Sequence, residues 1–267
     1  MLLEVKDVYK SYKKSFDIMS KEKIEILKGI SLYLKERECL GIIGESGSGK
    51  STLGRLIIGV EKADRGSIAI EGADITKTKN KAIKQKISVV FQDYISSVNP
   101  RFQVLDILSE PLRTFENLER KDIIQKAIDL LEKVGLAEEY LYRYPHELSG
   151  GQLQRVCIAR AITTNPKLIV LDEAISSLDV SIQVQILDLL IQLKKEMNIS
   201  YIFITHDLTA ITYICDRVIF FKEGRTVEEV HSIADLKNVK EAYSKALLHA
   251  AMRMNEKEEI YEVQRIS

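Results

Sequence analysis

Eight consecutive residues, Gly44-Glu45-Ser46-Gly47-Ser48-Gly49-Lys50-Ser51, combine the groups that phosphate binding requires. Glycines let backbone N–H groups turn inward around an anion without Cβ clashes. Lys50 supplies a cation for β- and γ-phosphates, and the Ser51 hydroxyl a ligand for Mg²⁺. The short apolar run Cys39–Ile43 comes before, and a helix-like run, Thr52 to Val60, comes after. That context aims the positive end of a helix at the same anion. The segment fits the Gly-x-x-x-x-Gly-Lys-Ser phosphate loop. The competing reading is a glycine-rich turn with a fortuitous lysine, and the strand before and helix after weigh against it.

Two further segments carry chemistry. Leu168-Ile-Val-Leu-Asp172-Glu173 sets two carboxylates at the end of a buried-type strand, where α/β proteins open their ligand crevice. Asp172 is assigned to Mg²⁺ and Glu173 to polarising an attacking water. A solvated acidic turn capping a helix is the alternative. Leu148-Ser149-Gly150-Gly151-Gln152 is a second backbone-rich anion site at a helix start, with Ser149 as an extra donor. It cannot easily share the first pocket; a second copy of the chain or a homologue could bring it to the γ-phosphate across an interface.

The elements that hold these segments follow from periodicity. Leu3 to Val8, Ile26 to Leu34, Ser67 to Ile70, Ile87 to Phe91, Ser200 to Thr205 and Arg217 to Lys222 read as strands. The Lys-rich stretch Lys13 to Lys23 reads as a hairpin loop. Val104 to Val134 is helical in pattern, as are Leu153 to Thr164 and Ser181 to Met197. Strand–helix alternation predicts an α/β core around a largely parallel sheet, with a helical insert at about 93–150 and a helical, charged tail after Ser232.

Composition narrows the function classes. With 267 residues, 45% hydrophobic and 29% charged, the chain is an ordinary globular one. Lys plus Arg and Asp plus Glu both number 39, so there is no basic field and no nucleic-acid partner is expected. Cys39, Cys157 and Cys215 lie too far apart for a zinc or disulfide framework. His146, His206, His231 and His249 have no metal-ligand spacing. Early charges argue against a signal peptide, and no stretch approaches the ~18 apolar residues of a membrane span. Any work at a membrane is therefore expected to need other, spanning chains.

In order, these segments strongly resemble the ABC-transporter ATPases across roughly residues 2 to 230. Gly44 to Ser51, with Thr52, matches Walker A, Gln92 the Q-loop, Leu148 to Gln152 the signature and Leu168 to Glu173 Walker B. Ser176-Ser-Leu-Asp179 matches the D-loop and His206 the switch histidine. The resemblance implies a P-loop NTPase fold: a RecA-like core, a β-subdomain and an inserted α-helical subdomain, with residues 1–231 as the ABC ATPase domain and 232–267 as a short helical tail. It implies ATP and Mg²⁺ as ligands, with Ser51, Gln92 and Asp172 at the metal and Glu173, His206, Gln92 and Lys50 as catalytic residues. It also implies a head-to-tail dimer in which each ATP lies between one chain's Walker motifs and Ser149 to Gln152 and Asp179 of the other. An aromatic near the N-terminus stacks on adenine in the family; Tyr12 is chosen here, with Tyr9 and Phe16 as competitors.

Phe91-Gln-Asp-Tyr-Ile-Ser-Ser-Val-Asn-Pro-Arg101 and Tyr243-Ser-Lys-Ala-Leu-Leu248 are similar to the dipeptide, oligopeptide and nickel importer ATPases. Ala174, where most relatives carry Pro, looks most like the nickel-import ATP-binding subunit. That subfamily implies a second, homologous ATPase subunit, two permeases and an extracytoplasmic solute-binding protein. In isolation a homodimer is also allowed. The chain is then expected on the cytoplasmic face of the membrane. An exporter ATPase, a soluble ABC protein and a nucleotide-binding structural protein that does not hydrolyse are the rivals; Asn99-Pro-Arg101 and the tail favour import, and intact Lys50, Asp172, Glu173 and His206 favour hydrolysis.

Overall fold

The structure, a computed structural model, describes residues 1–14, 22–75 and 80–251. Two sheets carry the fold. The first is antiparallel, in the order β2-β1-β4-β5, built from β1 (Leu3–Lys13), β2 (Lys23–Leu34), β4 (Arg65–Ile70) and β5 (Ala73–Asp74). The second has six strands in the order β10-β9-β3-β8-β7-β6: β3 (Cys39–Ile43), β6 (Ile87–Val90), β7 (Leu168–Asp172), β8 (Ser200–Thr205), β9 (Arg217–Lys222) and β10 (Arg225–Val230). All of its pairings are parallel except the β9–β10 hairpin.

The central strands read as continuous apolar runs because helices and the other sheet cover both faces. Successive side chains enter opposite cores. Tyr201 and Phe203 of β8 join one, and Ile202 and Ile204 join the other. The second core also takes in the antiparallel sheet and α1 (Lys50–Ile57). Tyr201, Phe203 and Phe220 are fully buried; truncating one to Ala costs about 3–5 kcal/mol.

The remaining helices are α2 (Lys81–Gln85), α3 (Val104–Phe115), α4 (Arg120–Lys133), α5 (Gly150–Ile162), α6 (Val180–Met197) and α7 (Leu208–Ile214). The helical pattern from Val104 to Val134 is two helices rather than one. The chain is extended at Glu116, which ends α3, and at Glu119, which precedes α4. The Walker-A helix begins at Lys50 and ends at Ile57, short of the predicted Val60, because the chain turns at Gly59 with positive φ. The signature helix starts three residues earlier than Leu153, since Ser149 caps it. Of the expected Lys13–Lys23 loop, Lys13 and Lys23 are paired strand residues, while 15–21, including Phe16, lie outside the described residues. No helix among the described residues is long and apolar enough to cross a membrane.

Candidate nucleotide site

Register sets the site. Ile43 pairs with Thr205, and Asp172 pairs with Ile204. The C-terminal ends of β3, β8 and β7 therefore lie side by side, bringing the phosphate loop, His206 and the Asp172–Glu173 pair to one edge of the sheet. A cavity of about 300 Å³ opens there, lined by Tyr12, Ile26, Ser46, Gly47, Gly49, Lys50, Ser51, Thr52, Gln92 and Glu173.

The loop is shaped by contacts that only glycine permits at two positions. A Cβ on Gly44 would sit 2.0 Å from the Phe221 carbonyl oxygen. Gly49 has φ 107°, in the left-handed region, and directly precedes α1. Lys50 is buried, and its ammonium donates to the carbonyls of Gly44 at 2.7 Å and Glu45 at 2.8 Å. Burial pushes the Lys50 pKa below its ordinary value, with Glu173, Asp172 and Glu45 pulling the other way. The lowered value shows that these carboxylates offset only part of the cost of burying the ammonium.

Ser51 donates to Asp172 Oδ1 at 2.9 Å. Burial holds the Asp172 carboxyl above the usual carboxylate range; the Ser51 hydrogen bond opposes this and the charge of Glu173 adds to it. The Ser51 hydroxyl and Asp172 carboxylate are hard oxygen donors, which suit Mg²⁺ better than a softer metal, and Gln92 lines the same cavity as Ser51. Among the described residues, no three His, Cys, Asp or Glu side chains gather as a separate metal cluster. Glu173 has φ 47°, in the left-handed region, a strained placement common at functional sites. Its Oε2 is 3.5 Å from His206 Nδ1.

Tyr12 lines the cavity, whereas Tyr9 lies under the Arg65 guanidinium at 4.0 Å, with its hydroxyl against Gly29. Tyr12 is held by a network that the sequence did not disclose. Its hydroxyl donates to Glu61, which also accepts from Arg55 Nε at 2.7 Å, and Arg55 Nη2 donates to Thr52 Oγ1 at 3.1 Å. No spacing rule links Tyr12 to Glu61; the contact arises where β1 passes the end of α1.

The signature stands apart. Ser149 Oγ accepts from the Gln152 N–H at 3.3 Å, and Gln152 Oε1 accepts from the Ser149 N–H at 2.9 Å, a capping box. Gln152 Nε2 also donates to the Tyr140 hydroxyl at 2.9 Å. None of Ser149, Gly150, Gly151 and Gln152 lines the cavity that holds Lys50, and neither does Asp179, which directly precedes α6.

The family model described as "ABC transporter" matches residues 27–176. The chain belongs to the ABC transporter family. The metal-staphylopine import system ATP-binding protein CntF of Staphylococcus aureus is 47% identical over 247 residues, covering 92% of this chain and 98% of that protein. The oligopeptide transport ATP-binding protein OppF of Salmonella typhimurium is 42% identical, covering 94% of this chain and 77% of OppF. The dipeptide transport ATP-binding protein DppF of Escherichia coli is 40% identical, covering 95% and 77%. The ATP-binding cassette MJ0796, solved as a dimer bound to ADP and Pi, superposes with a TM-score of 0.76 at 31% identity, covering 85% of this chain and 97% of MJ0796. This chain is thus an ABC importer ATPase with a P-loop NTPase fold.

Proposed function

We propose that this chain is the ATP-hydrolysing subunit of a bacterial importer that takes up nickel or a related metal complex. The cargo reading rests on one observation: the 47% identity to a metal-staphylopine import ATPase along nearly its whole length. The second reading is oligopeptide or dipeptide import, favoured by relatives at 40–42% identity.

In this reading residues 1–231 are the ATPase domain, with 93–150 as the helical insert and 232–267 as the tail. Lys50 and the loop amides bind the phosphates, and Tyr12 stacks on adenine. Ser51, Asp172 and Gln92 would hold Mg²⁺, which would supply charge neutralisation at the phosphates. Glu173 accepts a proton from the attacking water, and His206 bears on the γ-phosphate.

The separation of the signature from the cavity supports a composite site, completed by Ser149 to Gln152 and Asp179 of a second cassette. That cassette is a homologous subunit, with a homodimer in isolation. ATP favours the closed dimer and hydrolysis the open one, which is the differential affinity needed to drive two membrane permeases. A solute-binding protein selects the cargo outside, and this chain sits peripherally on the cytoplasmic face.

The test is mass spectrometry of the complex that co-purifies with this chain from membranes, followed by nickel, metal-complex and peptide binding to the recovered solute-binding subunit. Recovery of a peptide-only binder overturns the metal reading; recovery of no permease overturns the transport reading.

A further inference from the structure

The tail segment that carries Tyr243 is tied to the phosphate loop. Residues 242–251 are helical. The segment leading into this helix is fixed by Glu228 of β10, whose carboxylate accepts from the backbone N–H of Lys240 at 2.7 Å and of Glu241 at 3.2 Å. Ser244 is fully buried, and Leu247 and Leu248 pack on the core that also holds α5 and α6.

From this helix the Tyr243 hydroxyl accepts from the Glu45 N–H at 3.2 Å and donates to the Phe221 carbonyl at 3.3 Å. Glu45 is the second residue of the phosphate loop, and Phe221 is the carbonyl against which Gly44 packs. The Glu45 residue is therefore held from two sides, its N–H by the tail and its C=O by Lys50 at 2.8 Å. A triphosphate that draws the Lys50 ammonium to itself takes away the second hold and leaves the first.

We propose that Tyr243 is a positioning residue for the phosphate loop, and that tail docking and nucleotide binding are coupled through the Tyr243–Glu45 hydrogen bond. The proposal rests on Gly44 to Ser51 being the nucleotide site. Coupling of this kind is reciprocal: the factor by which a docked tail tightens ATP binding is the factor by which ATP tightens tail docking.

The test uses the full-length chain. ATP dissociation constants are measured for wild type, Tyr243→Phe and Glu228→Gln, with hydrogen exchange over 242–251 followed with and without Mg-ATP. Tyr243→Phe keeps the ring and its packing and removes only the hydroxyl. It should weaken ATP binding roughly 3–10-fold, the range of one net hydrogen bond. Mg-ATP should slow tail exchange in wild type and fail to do so in Tyr243→Phe. Glu228→Gln, which loosens the tail without touching the loop, should shift both readouts in the same direction. In the assembled transporter KM should rise more than kcat falls. Tyr243→Phe affinity within twofold of wild type, or tail exchange in wild type that ignores nucleotide, overturns the coupling. Failure of wild type itself to bind ATP overturns the phosphate-loop assignment and the coupling with it.

Discussion

The Ser51 hydroxyl donates to Asp172 Oδ1 at 2.9 Å, joining two residues 121 positions apart in the chain. The first is the second residue of α1, which follows β3, and the second ends β7. They meet because β8 lies between β3 and β7 with all three strand ends level. If this junction is where Mg²⁺ enters, Ser51→Ala and Asp172→Asn should each weaken Mg-ATP binding by roughly 10-fold or more, the effect of a lost hydrogen bond to a charged group. Affinity measured in excess chelator should change little. Equal losses with and without Mg²⁺ would remove the metal from this pair.

Glu173→Gln should retain nucleotide binding and slow turnover by roughly 10²–10⁴. The amide keeps the shape of the side chain and its contact with His206 but cannot accept a proton. Steady-state ATPase of the assembled transporter is the measurement, and a near-wild-type rate excludes Glu173 as the base.

Ser149→Arg places a bulky cation in the capping box of α5, away from the same chain's cavity. In a mixed dimer the defect should appear at the partner's Walker site. Single-turnover assays on dimers carrying one Lys50→Ala chain locate it, and a defect confined to the same chain's site would falsify the composite arrangement.

Glu61→Ala should release the Tyr12 ring from its hydroxyl anchor and break the link through Arg55 to Thr52. The expected loss is the stacking contribution of one aromatic, about 0.5–1.5 kcal/mol in ATP affinity. Competition by inorganic triphosphate, which has no base to stack, should be unchanged. A parallel loss for triphosphate would place the effect on the loop instead.

Acid stability has an identifiable source in Arg217. Its guanidinium is 3% exposed and donates to Glu38 at 2.8 Å, to Glu229 and to the Tyr33 carbonyl at 2.5 Å. Burial raises the Glu38 pKa, but hydrogen bonding and charge from Arg217 outweigh that and hold it below its ordinary 4.5. The stabilisation is therefore complete above the unfolded value and is lost as pH falls through the lowered folded value. Glu38→Gln should cost about 3 kcal/mol at neutral pH and flatten the fall in stability below pH 4.5. Denaturant unfolding across pH checks both.

Much of the fold was legible in local pattern. The buried run of β8 and the strand–loop–helix around Gly44 to Ser51 are periodic signals that need no partner to be recognised. The short α7 (Leu208–Ile214) and the strand β10 (Arg225–Val230) were not. Seven residues are too few to establish a helical period, and the polar Arg225, Thr226, Glu228 and Glu229 hide an edge strand whose identity comes from pairing with β9.

The sequence by itself pointed to the ligand chemistry: a loop of glycines with Lys50 and Ser51, an acidic strand end at Asp172 and Glu173, and a backbone-rich anion site at Ser149 to Gln152. Those assignments depend on residue type and spacing within a few positions. Tertiary structure alone decided which of them share a cavity, that Tyr12 and not Tyr9 faces it, and that Glu61 and Tyr243 hold its edges. These contacts join residues 49 and 198 positions apart, and no local preference encodes a hydrogen bond that forms only once the sheets and the tail helix have packed.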